Sequence, residues 1–335
     1  MRNRFTLTEL AVLSVLIVVL SQMALSAGPR ILLVGDSTVA NYNTNSTATR
    51  GWGMIIPEFF STNVTFSNAA VSGSSTKTFI TNGYWSNALK FSPDYVFILF
   101  GINDASGNTN VGTSPTSETT NSFRNYLRQF VADCVATNAV PILVTTYAAR
   151  GFVYATNAGI VTTNFYTNNI YKYPDAMKAV AAGTNSMTDI PLIDLFATST
   201  KLYQQIGPAE CERFNPTPAD RTHFNEPAAR TMARLIVNAI ANSTNAHLAA
   251  LAPYLNLPTA EQSVPAVDGV AWTNSTFSCS FTPMEGVQHQ LQASANLSSW
   301  TNAGAAFTGY GLPIEKGVAV PQGTDSIFTR ILVQP

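Results

Sequence analysis

Four apolar residues running straight into a glycine, in Ile31-Leu-Leu-Val-Gly-Asp-Ser-Thr38, constrain this chain more than any other feature. An unbroken apolar run of this length reads as a strand buried on both faces, which is a property of parallel sheets with helices on either side. Gly-Asp-Ser then reads as a tight turn that leaves Ser37 at the carboxyl edge of the sheet, where open α/β folds bind ligands. A serine becomes a nucleophile only if a base reaches its hydroxyl. Asp220-Arg-Thr-His223, far downstream, offers a histidine and a carboxylate to orient it from one short segment.

The rest of the chain to about residue 255 fits such a sheet. Strands are predicted at Arg30–Gly35, 64–68, 94–100, 141–146 and 191–194. The clearest helix spans 118–137, where Phe123, Tyr126, Leu127, Phe130, Val131, Cys134 and Val135 recur at i, i+3, i+4, i+7 spacing. A second, over 227–241, repeats the pattern through Met232, Leu235, Ile236, Ala239 and Ile240. Strands separated by helices imply right-handed crossovers and a three-layer α/β/α domain.

Two further segments carry chemistry: Asn68-Ala-Ala-Val-Ser-Gly-Ser-Ser75 and Phe100-Gly-Ile-Asn-Asp104. With them the sequence resembles the SGNH (GDSL-type) hydrolases, whose four blocks supply Ser, Gly, Asn and His. Here these fall in the family's order at Ser37, Gly73, Asn103 and His223. Within that superfamily it looks most like the rhamnogalacturonan acetylesterases, the twelfth family of carbohydrate esterases. Gly51-Trp-Gly53 and Tyr171-Lys-Tyr-Pro-Asp-Ala-Met177 fit that subgroup. The resemblance covers roughly residues 30–250 and implies a flavodoxin-like sheet.

It also implies roles. Ser37 would be the nucleophile, His223 its base, and Asp220 the carboxylate that fixes the imidazole. The N–H groups of Ser37 and Gly73 and the amide of Asn103 would form the oxyanion hole. Each residue has a plainer reading: Ser37 as a helix cap, Gly73 and Asn103 as turn residues, Asp220 as a cap beside a surface His223. Trp52, Ser74 and Arg150 are candidates for contact with substrate, as are Tyr147 and Phe152, although Trp52 and Tyr147 suit a core equally well. Ile102 stands where many relatives carry His, and Ser74 where pectin-type acetylesterases often carry Arg. Asn225-Glu-Pro227 replaces the usual small-residue turn after the histidine.

The implied activity is that of an exported serine esterase removing O-acetyl groups from a pectin, rhamnogalacturonan or xylan type of polysaccharide. Alternatives are a lipase, thioesterase or O-acetyltransferase using the same residues, or a non-catalytic glycan-binding surface protein. No cofactor or metal is expected, since no ligand cluster appears. The net charge of -1 gives no basic surface for nucleic acid.

Both ends carry separate signals. Arg2 and Arg4, an apolar stretch from Leu10 to Leu20 and the small residues around Ser26 and Ala27 have the layout of a secretory signal peptide over residues 1–27. The apolar core is short for a stable membrane span. An uncleaved anchor is the alternative. Phe5-Thr-Leu-Thr-Glu9 resembles a pilin-type leader, but Arg4 stands where such leaders have glycine. A charged fraction of only 11%, against roughly 25% in typical soluble domains, suits an exported protein. Export places the mature chain in the periplasm, at the cell surface or outside the cell. Of the three cysteines, Cys134 reads as a buried thiol, a Cys134–Cys211 bridge is the alternative, and Cys279 has no evident partner.

After a Pro-bounded linker at 256–265, residues 266–335 read as a small β-sandwich, with strands at 278–281, 289–293 and 327–333. Leu291-Gln-Ala-Ser-Ala-Asn-Leu-Ser-Ser-Trp300 resembles β modules appended to exported bacterial enzymes. Trp300 is expected in that module's core, a sugar-stacking platform being the alternative.

Overall fold

A computed structural model describes residues 27–148, 150–151, 153–154, 161–162, 172–183, 190–259, 261–273, 275–320 and 326–334. The N-terminal leader, apart from Ala27, lies outside them, as do Phe152 and Tyr171.

The first strand, β1 (Arg30–Gly35), has neighbours on both edges: β2 (Thr65–Asn68) on one and β3 (Tyr95–Leu99) on the other. Beyond β3 come β4 (Val140–Val144), then, past a small hairpin of β5 (Val153–Tyr154) and β6 (Val161–Thr162), the short β7 (Leu192–Ile193). All the pairings are parallel, in the order β2-β1-β3-β4-β7. That is the flavodoxin-like order, with its reversal point between β1 and β3.

Alternate residues of these strands feed two cores. Ile31 and Leu33 of β1 and Phe97 and Leu99 of β3 point to one face; Leu32, Val34, Val96 and Ile98 point to the other. The first face is covered by α1 (Trp52–Ile55), α6 (Leu195–Glu212) and α7 (Glu226–Ala241). The second is covered by α2 (Thr76–Thr81), α3 (Tyr84–Ala88), α4 (Phe123–Ala136) and α5 (Lys172–Ala182). The sheet is therefore buried on both sides, as the apolar runs require.

Some expectations shift in detail. Helix α4 begins five residues later than its periodicity suggested, because Ser122 caps it by accepting from the Asn125 N–H. Glu118 stays outside the helix and pairs with Arg124 and Arg128. Val135 is exposed rather than on the buried stripe. The span α6, absent from the sequence analysis, is two helical stretches that meet at a kink at Gly207-Pro208, where Gly207 leaves helical geometry at φ 80° and ψ 174°. All three cysteines are free and buried. Cys134 and Cys211 belong to cores on opposite faces of the sheet, so the bridge between them is excluded.

The C-terminal region is antiparallel. One sheet is β13 (Ile314–Ala319), β9 (Thr276–Phe281) and β8 (Val267–Thr273). The other centres on β10 (Gln288–Ser294), which pairs with β11 (Thr301–Asn302), β12 (Phe307–Thr308) and β14 (Phe328–Gln334). Cys279, Phe281, Leu291, Phe307, Val318 and Ile331 fill the space between the two. Trp300 is not part of this core: it is half-exposed, with the Arg330 guanidinium 4.3 Å from its ring centroid.

Phe130 stacks on Phe100 (centroids 5.5 Å apart, planes at 7°) and takes the edge of Trp85 at 4.9 Å. Phe130→Ala is expected to cost about 3–5 kcal/mol of unfolding free energy, read from chemical denaturation, because this rigid aromatic cluster cannot collapse into the space left.

Candidate active site

Three chain segments converge at the carboxyl ends of β1, β2 and β3. Ser37 follows β1 in a turn closed by bonds from the Val39 and Ala40 N–H groups to the Asp36 carbonyl, each 3.1 Å. Pairing with β1 continues past the end of β2, since Ala69 N–H donates to Leu33 O (2.9 Å) and Val71 N–H to Gly35 O (3.0 Å). This brings Ser72 and Gly73 alongside the Ser37 turn. Gly73 takes φ +79° with open space where a Cβ would be, a conformation strained for other residues. Among the described residues, neither the Ser37 N–H nor the Gly73 N–H donates to a backbone carbonyl.

Asn103 sits in the turn after β3. Its Nδ2 donates to the Ser74 carbonyl at 3.0 Å, fixing the amide's orientation and leaving a second N–H for another acceptor. Asp104 ties the same two loops together from beneath. It accepts from the Thr76 N–H (3.1 Å), the Thr76 hydroxyl (2.5 Å) and the Thr113 hydroxyl (2.7 Å). Its own carbonyl accepts from the Tyr173 hydroxyl at 2.8 Å.

The downstream segment closes the group. His223 Nε2 lies 3.0 Å from Ser37 Oγ, and His223 Nδ1 lies 3.0 Å from Asp220 Oδ2. Asp220 Oδ1 accepts from the Thr222 and His223 N–H groups at 3.1 and 3.0 Å, forming a turn around its own carboxylate. Partial burial works against the charge on Asp220. These bonds and the nearby imidazole outweigh it and hold the carboxyl below its ordinary value.

The residues expected to meet substrate divide differently. Trp52 is fully buried in the core; its backbone N–H donates to Thr38 O at 2.9 Å, bracing the turn from behind. Ser74 is buried and serves Asn103 through its carbonyl. Arg150, 1% exposed, faces inward: its guanidinium donates to Asn215 Oδ1 (2.9 Å), to Asp220 O (3.2 Å) and to His223 O. Tyr147 beside it is buried, with its ring on Phe224 at 4.5 Å and its hydroxyl donating to Thr222 O. Neither Trp52, Ser74 nor Arg150 lines a surface that substrate can touch. Together Arg150 and Tyr147 clamp the carbonyls of the segment that bears His223.

Tyr42 is a residue that the sequence analysis does not single out. Tyr42 donates to the Ser37 carbonyl at 2.9 Å, and its hydroxyl lies 3.2 Å from Ser72 Oγ, linking the serine turn to the Gly73 loop. A lone tyrosine in a polar stretch gives no pattern to find. Asp36, which the resemblance implies braces the serine turn rather than reacting, is fully buried. Its Oδ1 accepts from the Thr38 N–H and hydroxyl, at 2.9 and 2.7 Å, while Oδ2 has no hydrogen-bond partner among the described residues.

A serine hydroxyl, an imidazole and a carboxylate in hydrogen-bonded series, next to free N–H donors, is the arrangement on which serine hydrolases work. The family described as GDSL-like lipase/acylhydrolase matches residues 31–236. Rhamnogalacturonan acetylesterase RhgT of Bacillus subtilis (strain 168) is 32% identical over 225 residues, covering 63% of this chain and 89% of the relative. A probable rhamnogalacturonan acetylesterase of the same organism, YesY, is 30% identical over 215 residues, covering 63% and 91%. The crystal structure of protein YxiM from Bacillus subtilis is 26% identical with a TM-score of 0.51; the match spans 63% of this chain and 55% of that one. The chain belongs to the GDSL-like lipase/acylhydrolase family and is an ester hydrolase.

Burial raises the Asp36 carboxyl from 3.8 to about 6, against the opposing hydrogen bonds from Thr38. A carboxyl whose folded-state value is raised opposes folding once ionised; the cost is absent below its unfolded value and complete above about 6. Asp36→Asn should therefore gain stability relative to the parent by about 2–3 kcal/mol as pH rises from 4 to 7.5. Paired denaturation curves across that range check it.

Proposed function

We propose that this chain is an exported carbohydrate O-acetylesterase in which Ser37, His223 and Asp220 act as nucleophile, general base and orienting carboxylate. The observation that carries the reading is the continuous contact from Asp220 Oδ2 through the imidazole to Ser37 Oγ, 3.0 Å at each step. Ser37 Oγ attacks the acetyl carbonyl while its proton passes to His223 Nε2. The tetrahedral oxyanion takes hydrogen bonds from the Ser37 and Gly73 N–H groups and the free N–H of Asn103. His223 then protonates the sugar oxygen as the C–O bond breaks. Water, deprotonated by His223, cleaves the acetyl-enzyme and releases acetate.

An acetylated polysaccharide of the rhamnogalacturonan type as substrate is supported by the names of the two Bacillus subtilis relatives. Export is supported by the arrangement of Arg2, Arg4, the apolar stretch from Leu10 to Leu20 and the small residues before Gly28. It is tested by sequencing the N-terminus of the protein recovered outside the cytoplasm.

Acetate release from acetylated rhamnogalacturonan, acetylated xylan and an aryl acetate tests the activity. Release from rhamnogalacturonan, lost in Ser37→Ala, is the expected result. Preference for xylan would move the substrate class; cleavage of the aryl acetate alone would leave the natural acyl group to lipid or acyl-transfer chemistry. Ser37→Ala and His223→Ala should each lower kcat by at least about a thousandfold. Asn103→Ala should lower kcat about a hundredfold with KM nearly unchanged, because its bond strengthens only as the oxyanion forms.

A further inference from the structure

The family match ends at residue 236, and nothing in it speaks for the C-terminal β region. That region is nevertheless joined to the hydrolase fold. Tyr310 belongs to the same buried cluster as the sheet residues Ile31 and Phe97, with Leu312 and Ile314 packed against it. Gly286 seats its backbone on α7, where a Cβ would lie 2.5 Å from Arg234 Cγ, and its carbonyl accepts from Asn238 Nδ2 at 2.7 Å. Thr231, also on α7, donates to the Tyr310 carbonyl at 3.3 Å. Ser263, within the expected linker, is pinned to the β module, its hydroxyl donating to Met284 Sδ at 3.5 Å and its carbonyl lying 3.3 Å from His289 Nε2.

The remaining contacts concentrate on the stretch leading to the active-site loop. The Tyr310 hydroxyl donates to Glu210 Oε2 at 2.8 Å, and its ring meets Phe214 edge-on with centroids 5.9 Å apart. Arg213 donates to the Pro313 carbonyl at 2.9 Å and to Glu210 Oε2 at 2.6 Å. From there the connections run directly to the loop. Phe214 O accepts from the Asn225 N–H at 3.1 Å, and Glu212 holds both Asn215 Nδ2 (2.6 Å) and Arg221 Nε (2.8 Å). Asn215 Oδ1 in turn holds the Arg150 guanidinium that carries the Asp220 and His223 carbonyls.

We propose that the C-terminal β module is a working part of the hydrolase site: through Tyr310 and Pro313 it fixes residues 210–215, and through them it positions Asp220 and His223. The proposal rests on the roles given above to those two residues. Tyr310 is a positioning residue that touches no substrate. Its influence is geometric, because proton transfer from serine to imidazole depends steeply on their separation and angle. The module is thus a brace on the loop, whatever else its outer surfaces do.

The test compares the full-length chain with Tyr310→Phe, Tyr310→Ala and, as a control elsewhere in the module, Trp300→Ala. Two readouts are taken: kcat and KM for an aryl acetate, and hydrogen exchange of the peptide spanning residues 213–225. Tyr310→Ala should lower kcat about tenfold with KM within twofold, and Tyr310→Phe, which keeps the ring and loses the bond to Glu210, should fall in between. Exchange in the 213–225 peptide should quicken several-fold in both, and Trp300→Ala should change neither readout. Unchanged kcat and unchanged exchange in folded Tyr310→Phe and Tyr310→Ala would overturn the proposal; if Tyr310→Ala does not fold, Tyr310→Phe decides it. A parent protein without Ser37-dependent turnover would sink the esterase reading instead, and loop exchange alone would then decide whether the module is a brace.

Discussion

The position of β1 between β2 and β3 is the constraint from which the rest follows. Parallel pairing on both edges buries its four apolar residues on both faces, so the chain must leave the sheet at Gly35 in a tight turn. Because the strand order reverses there, the loops after β1, β2 and β3 diverge to opposite faces and leave a crevice between them. Ser37, Gly73 and Asn103 are the residues that meet at it.

What holds the crevice open is a set of buried polar groups rather than apolar packing. Asp36 and Asp104 are both fully buried, and burial raises both carboxyls to about 6 despite the hydroxyl and N–H donors around them. Each acts as a knot: Asp36 fixes the serine turn through Thr38, and Asp104 ties the Gly73 loop to the Asn103 loop through Thr76 and Thr113. Arg150 and Tyr147 do the same for the His223 loop by taking its carbonyls. Such groups weaken folding when ionised or unpaired, and they specify one loop arrangement where apolar contacts would tolerate several.

The sheet was legible in the sequence because buried parallel strands are continuous apolar runs with glycine or polar residues at their ends. All five strands fall within a few residues of where the pattern predicts them. Ser37 and His223 were legible from their own short blocks, and Gly73 and Asn103 through the resemblance to the SGNH hydrolases, whose four blocks occur here in the family's order. The buried partners were not. Trp52, Ser74 and Arg150 are polar or amphipathic residues near the motifs, and sequence alone does not tell a side chain facing substrate from one facing inward to support a loop. Arg150 illustrates this: a guanidinium beside a cleft suggests a ligand contact, whereas here it satisfies backbone carbonyls. The attachment of the β module through Tyr310 depends on a contact between residues 100 positions apart, which no local pattern records.

The central claim is that His223 activates Ser37, and covalent trapping measures it most directly. The full-length protein is treated with a fluorophosphonate, digested with trypsin, and the peptide carrying residues 31–50 is weighed. The account predicts a phosphonyl adduct on Ser37 that forms rapidly in the parent and at least about a hundredfold more slowly in His223→Ala, since the neutral hydroxyl is a poor nucleophile without its base. An unmodified Ser37, or labelling equally fast without His223, would contradict it.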